Sequence, residues 1–253
     1  MMLALEGSSV DRRDGFWAIR TPDNPRYNWG NFLLLDAPMG SGEVTRWLDV
    51  YAQEFPGRER IAFGVDRPDG EAGPTDEMSA SGLNFAAAWV LTASTLSPPP
   101  PPKSDAEIRM LSGDEDWQGV LDMRLESNEN PDTEDYVNFV QRKFAGMRRL
   151  QEAGAGGWFG AFLDGDMVSG VGIFSDGADV ARFQVLETRP NHRGQGLART
   201  LAHVAGTYGL EKLGARTLAM VTEADNAASL SVYRSLGFTV VESQLMVSRR
   251  REA

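Results

Sequence analysis

Residues 188 to 204 read TRPNHRGQGLARTLAHV, and they set Arg189, His192, Arg193 and Arg199 around three small residues, Gly194, Gly196 and Ala198. A glycine-bearing turn that runs into a helix exposes several backbone N–H groups, and the helix dipole adds partial positive charge there. The small residues let a bulky anion approach the backbone, and arginine adds charge-assisted hydrogen bonds. Those residue types in that order specify a phosphate or pyrophosphate. The Gly-Lys-Ser/Thr ending of a Walker loop is missing, and one Gly-x-Gly pair does not make the dinucleotide fingerprint. Phosphoryl transfer would further need a metal-binding carboxylate pair and a phosphate lysine, which the sequence does not offer.

The bulk chemistry narrows the partners. A net charge of −11 over 253 residues works against nucleic acid, because like charges repel during encounter. The same charge suits a cationic amine. With no cysteine and only His192 and His203, thiolate and histidine-rich metal sites are excluded, and no metal is expected. No apolar run approaches the roughly 20 residues that span a bilayer. The start, MMLALEGSSVDRRDG, has neither the basic opening nor the apolar length of a signal peptide. A cytoplasmic protein that avoids membranes is expected.

The elements that position the loop follow from periodicity. In the second half, AEIRML reads as a strand. DEDWQGVLDMRLESNE is a helix with Trp117, Val120, Leu121 and Leu125 inward, and TEDYVNFVQRKFAGMRRLQEAG is another with Tyr136, Val137, Val140, Phe144 and Met147 on one face. WFGAFLDGDMVSGVGIF is a hairpin turning at Asp164-Gly165. VARFQVLET leads into the loop and its helix, followed by strand TLAMVTE, helix AASLSVYRSLG and strand FTVVESQLMVS. His203 sits a turn or more into the loop's helix and reads as packing or surface. The order β-α-α-β-β-β-α-β-α-β predicts an α/β (mixed α+β) fold, with a partly parallel central sheet flanked by helices.

Five prolines, Pro98 to Pro102, form a semi-rigid spacer of about 15 Å. They divide the chain into a domain over 1–96, a linker over 97–104 and a domain over 105–253. The first half repeats the later scheme: strands GFWAIRT and WGNFLLLDA, helix GEVTRWLDVYAQEF with Val44, Trp47, Leu48, Tyr51 and Phe55 inward, strand RIAFGVD, short helix GPTDEMSASGLN and strand FAAAWVLTAS. Its corresponding loop, DAPMGSGEVTRW, keeps Pro38, Gly40 and Gly42 but has Glu43 at the helix start and no arginine before it. A carboxylate there suits the dipole and repels phosphate. Nearby, TPDNPRYNWGN is either a specialised surface or a tight turn anchored by Tyr27 and Trp29.

The second half resembles the GCN5-related N-acetyltransferase (GNAT) family. The signature Arg/Gln-x-x-Gly-x-Gly/Ala stands as Arg193-Gly194-Gln195-Gly196-Leu197-Ala198, with Pro190 three residues ahead. A second signature stands as NAASLSVYRSLGF, with Asn226, Ser229, Tyr233, Gly237 and Phe238. The resemblance covers 105 to 248 well and the first half in outline, so the chain reads as a tandem arrangement with a degenerate first domain lacking the coenzyme loop. It implies that the anion is the pyrophosphate of acetyl-coenzyme A, held by Arg193, Gly194, Gln195, Gly196, Leu197, Ala198 and Arg199. It also implies that pantetheine pairs with the backbone of Leu186, Glu187 and Thr188, the last at a position where the family usually has valine. Asn226 and Ser229 would line the pantetheine channel.

The implied reaction is direct acetyl transfer to a primary amine. By family likeness Tyr233 protonates the leaving thiolate; a phenol of pKa ~10 is well matched to that task. The alternative for Tyr233 is packing with Leu230 and Leu236. The family's glutamate position five residues before the asparagine is Val221 here, leaving Glu223 and Glu187 as candidate bases. Strict alternation along the strand would point Glu187 away from the side of Gln184. A catalytically idle acyl-coenzyme A sensor is the other class of function that fits. The acceptor could be a polyamine, an aminoglycoside or a basic peptide terminus, and the chain a monomer or homodimer.

Overall fold

The computed structural model describes the main chain of residues 2–127 and 133–250. A short helix α1 (Met2–Leu5) precedes β1 (Ser9–Arg13), β2 (Phe16–Arg20), β3 (Phe32–Leu35), α2 (Val44–Glu54), β4 (Arg60–Val65), α3 (Thr75–Ala80) and β5 (Asn84–Ala93). Then come β6 (Glu107–Met110), α4 (Gly113–Glu126), α5 (Glu134–Glu152), β7 (Gly156–Leu163), β8 (Asp166–Ser175) and β9 (Val180–Thr188). The chain continues with α6 (Leu197–Glu211), β10 (Thr217–Glu223), α7 (Ala227–Ser235) and β11 (Thr239–Arg250). The expected mixed α/β architecture forms, with the ten predicted elements of the second half in order. Periodicity missed α1 and β1, which are short. Asn128 and Glu129, at the end of the predicted first helix of that half, lie outside the described residues.

Two compact units divide the chain. One holds the described residues of 1–6, 91–221 and 227–239; the other holds 7–90, 222–226 and those from 240 onward. In the second of these, strands lie in the order β1-β2-β3-β4-β11. The pairs β1/β2 and β2/β3 are antiparallel and β3/β4 is parallel. β11 is antiparallel to β4, with Met246 opposite Gly64 and Arg249 opposite Ile61. The spacing of Val44, Trp47, Tyr51 and Phe55 buries one face of α2 against Leu33, Leu35 and Phe63, while Leu48 is only partly covered. TPDNPRYNWGN resolves as a turn. Asn31 accepts from the Thr21 N–H at 3.0 Å and donates to the carbonyls of Asn24 and Tyr27.

The other unit orders its strands β10-β9-β8-β7-β6. The β7/β8 hairpin turns where expected, with Asp164 (φ 52°) and Gly165 (φ 90°) both left-handed, as a type I′ turn requires. Helices α4 and α5 bury Trp117, Val120, Met123, Val140, Phe144 and Met147 against Trp158 of β7. The Trp158 ring lies 5.1 Å from that of Phe144. Leu121 and Leu125, expected inward, are only partly buried, and Met123 takes the deeper place. Each fully buried side chain of this size contributes roughly 2–3 kcal/mol. On α6, Gly206 and Gly209 permit close packing: a Cβ on Gly209 would come within 2.8 Å of Ile173. That contact fixes the helix whose first turn carries the anion loop.

Candidate functional site

The loop leaves β9 at Thr188, makes a 3₁₀ turn over Pro190–His192 and enters α6. Proline at the first position of that turn has its φ already set. Gly194 (φ 72°) and Gly196 (φ 87°) are both left-handed, a conformation that a side chain would strain. Gly196 caps α6 with no side-chain hydrogen bond, so the first-turn N–H groups have no intrahelical acceptor. Arg193 donates from Nε to the Thr188 carbonyl at 3.1 Å, bracing the turn. Arg189 pairs with Glu126 at 3.0 Å and is already neutralised. Among the described residues, no carboxylate pairs with Arg193 or Arg199. Buried Nε of Arg199 and Nδ1 of His192 have no hydrogen-bond partner. Uncompensated cations beside open N–H groups fit a multiply charged anion such as pyrophosphate.

The corresponding loop of the other unit has glycine N–H groups already engaged by side chains. Glu43 accepts the Gly40 N–H at 2.9 Å, and Glu77 accepts both the Gly42 N–H at 2.8 Å and the Ser41 hydroxyl at 2.8 Å. The Gly40 N–H holds the Glu43 carboxyl below the usual carboxylate range. Two of the chain's own carboxylates thus accept from the N–H groups of this turn.

The β9/β10 ladder is short. It pairs Thr217 with Val180, Leu218 with Ala181 and Ala219 with Arg182, and there it stops. From Phe183 to Thr188 β9 keeps β8 as its partner on one edge, while its other edge has no β10 partner in register. Such an edge can accept an extended ligand as an added strand. Two of the carbonyls in this segment already accept a bond: Glu187 from Ser169 Oγ at 2.8 Å, and Thr188 from Arg193.

β9 also carries a bulge. Gly170 pairs with Glu187 and Gly172 with Gln184, so β9 has one residue more than β8 in this interval. The extra residue reverses the expected alternation, and Gln184 and Glu187 share a face. The expectation that they point to opposite sides is therefore corrected. Glu187 turns toward α4, where one carboxylate oxygen accepts from Arg124 at 2.7 Å and from Ser127 at 2.6 Å. No sequence signal marked Arg124 and Ser127, because their partner lies about sixty positions away. Gln184 is half-buried and its Nε2 has no partner.

Tyr233 lies on the other face. Its ring packs on Phe183 of β9 at 5.3 Å and on Phe238 at 5.2 Å. It is 1% exposed, and burial pushes its phenol well above the ordinary tyrosine range. Glu187 and Tyr233 thus reach the unladdered end of β9 from opposite faces. Ser229 lies in the first turn of the same helix α7 and is half-buried. Glu223 and Asn226 fall in segment 222–226, which belongs with the other unit; there the Asn226 N–H donates to the Glu223 carbonyl at 3.1 Å. The site geometry within one unit therefore rests on Leu186 to Arg199 and Tyr233. His203 is half-buried on α6.

Comparison with known proteins gives this arrangement a family. The Acetyltransferase (GNAT) family profile matches residues 107–238. A mycothiol acetyltransferase of Streptomyces avermitilis is 39% identical over 67 residues, 26% of this chain and 21% of that protein. The spermidine N(1)-acetyltransferase of Escherichia coli K12 is 36% identical over 66 residues, 26% of this chain and 34% of that protein. The chain thus spans about a fifth to a third of the length of these curated relatives. A GCN5-related N-acetyltransferase from Kribbella flavida shares the fold with a TM-score of 0.67 at 15% identity, over 98% of this chain and 92% of that one. With the profile matching more than half of its length, on the very elements that build the loop, the chain belongs to the GNAT acetyltransferase family.

Proposed function

We propose that the protein moves an acetyl group from acetyl-coenzyme A to a primary amine by direct transfer. The observation that carries this reading is the loop: two left-handed glycines, open N–H groups and uncompensated arginines at the start of α6, beside an unladdered strand edge. Arg193 to Arg199 hold the pyrophosphate, and the backbone of Leu186 to Thr188 lines the pantetheine. Asn226 and Ser229 take the channel positions that the family pattern assigns to them.

The bound thioester supplies an activated acyl carbon; the protein's residues manage the protons. Glu187 is the stronger candidate to orient the amine and take its proton, directly or through water, because Arg124 and Ser127 hold its carboxylate in place. Glu223 is the second candidate. As the new C–N bond forms and the C–S bond breaks, Tyr233 gives its proton to the departing sulfur. Burial raises the phenol pKa, which keeps the proton on Tyr233 before transfer but makes it a weaker acid than an exposed tyrosine. The acceptor is a primary amine of a small molecule or peptide, a cationic one being in keeping with the chain's −11 charge. The first half is a degenerate copy without a coenzyme loop, a reading supported by Glu43 and Glu77 filling its turn.

Calorimetry with acetyl-coenzyme A tests the reading. Arg193→Glu combined with Gly196→Glu should weaken binding by roughly 100-fold, as removal of a charge-assisted contact and repulsion act together. Equal binding by the double variant would refute the loop assignment. Thiol release with some amine establishes transfer, whereas binding without release across a broad amine panel identifies an acyl-coenzyme A sensor.

A further inference from the structure

The five prolines do more than separate two halves of the chain. Residues 95 to 103 run along the loop-bearing unit and are tied to it at both ends. At one end the Ser97 N–H donates to the Leu236 carbonyl at 3.0 Å, and Leu96 lies where a Cβ on Gly206 would come within 2.7 Å. At the other, the Lys103 N–H donates to the Gln195 carbonyl at 2.9 Å, and Pro102 Cα lies 3.3 Å from where a Cβ on Gly196 would stand. Gly206 and Gly196 are ten positions apart on α6, about 15 Å of helix rise. Five residues of polyproline helix cover about the same distance. Proline has no N–H, so Ser97 and Lys103 are the donors nearest the run on either side. Those two donors make the anchoring bonds.

The Lys103 bond has a consequence for the loop. A trans peptide directs its C=O and N–H to opposite sides. Fixing the Gln195 carbonyl toward the proline run therefore turns the Gly196 N–H away from it, outward from the strap. We infer that residues 97–103 are a rigid strut and that the main-chain N–H of Lys103 is a positioning group that presets the Gln195–Gly196 peptide for the anion. The inference rests on the loop reading above. A glycine pair in left-handed conformation has many alternatives when free, and a strut of low conformational entropy removes them before ligand arrives. The Lys103 ammonium is not required for this role.

Three variants separate the strut from simpler accounts, with acetyl-coenzyme A affinity by calorimetry and Tm measured for each. Lys103→Pro removes the donor and keeps the stiffness; it should weaken binding about tenfold, the worth of one well-placed hydrogen bond, with Tm nearly unchanged. Lys103→Ala keeps the N–H and should bind within about twofold of wild type. Replacing Pro98 to Pro102 by an alternating Gly-Ser run keeps the donor but not the stiffness, and should weaken binding in the same direction. In turnover the loss should appear in the KM for acetyl-coenzyme A and leave kcat in place. Wild-type affinity in Lys103→Pro overturns the strut, as does an equal loss in Lys103→Ala, which would assign the effect to the ammonium. If the wild type itself binds no acetyl-coenzyme A, the loop reading falls and takes the strut with it.

Discussion

At the scale of single residues, Tyr233 combines two requirements that pull against each other. Burial against Phe183 and Phe238 keeps its proton on, and under the proposed mechanism the same proton must leave when the thiolate departs. Tyr233→Phe preserves the ring packing, so acetyl-coenzyme A affinity should stay within about twofold while kcat falls roughly 100- to 1,000-fold. Stopped-flow thiol detection would measure it. The raised phenol pKa also carries a stability consequence. A group whose folded pKa exceeds its unfolded value stabilises fully below the unfolded pKa and loses that contribution as pH rises through the folded one. Wild-type Tm should therefore decline above pH ~10, the ordinary tyrosine value, and Tyr233→Phe should lessen the decline, as thermal melts across that range would record. Tyr51, also raised by burial, adds to the slope in both proteins.

Glu187 marks the limit of what residue order can tell. The glycine and arginine spacing of the loop was readable because a signature is a local pattern. The side to which Glu187 turns depends on a bulge opposite Val171, and a bulge has no side-chain signature of its own. Glu187→Gln keeps both hydrogen-bond donors of α4 satisfied in part but removes the charge facing Arg124. Transfer to amine should drop at least about tenfold with coenzyme affinity unchanged, if the carboxylate takes the amine's proton. A steady-state comparison with Glu223→Gln assigns the base.

At the scale of elements, helices and turns followed closely from sequence. Asp164-Gly165 gave its hairpin because both residues tolerate positive φ, and α2 and α5 buried most of the faces that their periodicity marked. What fixes α4 was not visible. Asp116 accepts the Ser112 N–H at 2.7 Å at the helix start and an Arg109 pair from β6. The Arg109 hydrogen bond, opposed by desolvation, holds its carboxyl below the ordinary range. A lowered folded pKa means stability that is present above the unfolded value and lost as pH falls through the folded one. Asp116→Asn should therefore melt lower than wild type at pH 7, and the gap should close below pH ~4. Calorimetric melts from pH 7 to 2.5 would show whether it does.

At the scale of the whole molecule, the linear boundary at the prolines and the pairing of strands follow different rules. FTVVESQLMVS was readable as a strand, but its partner was not, because strand partners in a mixed sheet are selected by tertiary packing rather than by neighbouring residues. β11 pairs with β4, whose residues lie on the far side of the proline run. Cutting the chain between 97 and 104 therefore splits one sheet between two fragments. Residues 1–96 alone should show no cooperative melt, since β4 would present a bare edge, and mixing with 105–253 should restore one; circular dichroism on each fragment and on the mixture checks this.

The self-occupied turn of the first half bears on how the protein would count its coenzyme. With Glu43 and Glu77 already seated on the N–H groups of Gly40 and Gly42, doubling the scaffold should not double the capacity. Titration should saturate at a single equivalent per chain, and rate against acetyl-coenzyme A should follow a plain hyperbola with a Hill coefficient near one. The duplicated half would then add no second coenzyme dependence, and the rate would answer to coenzyme supply through one site only.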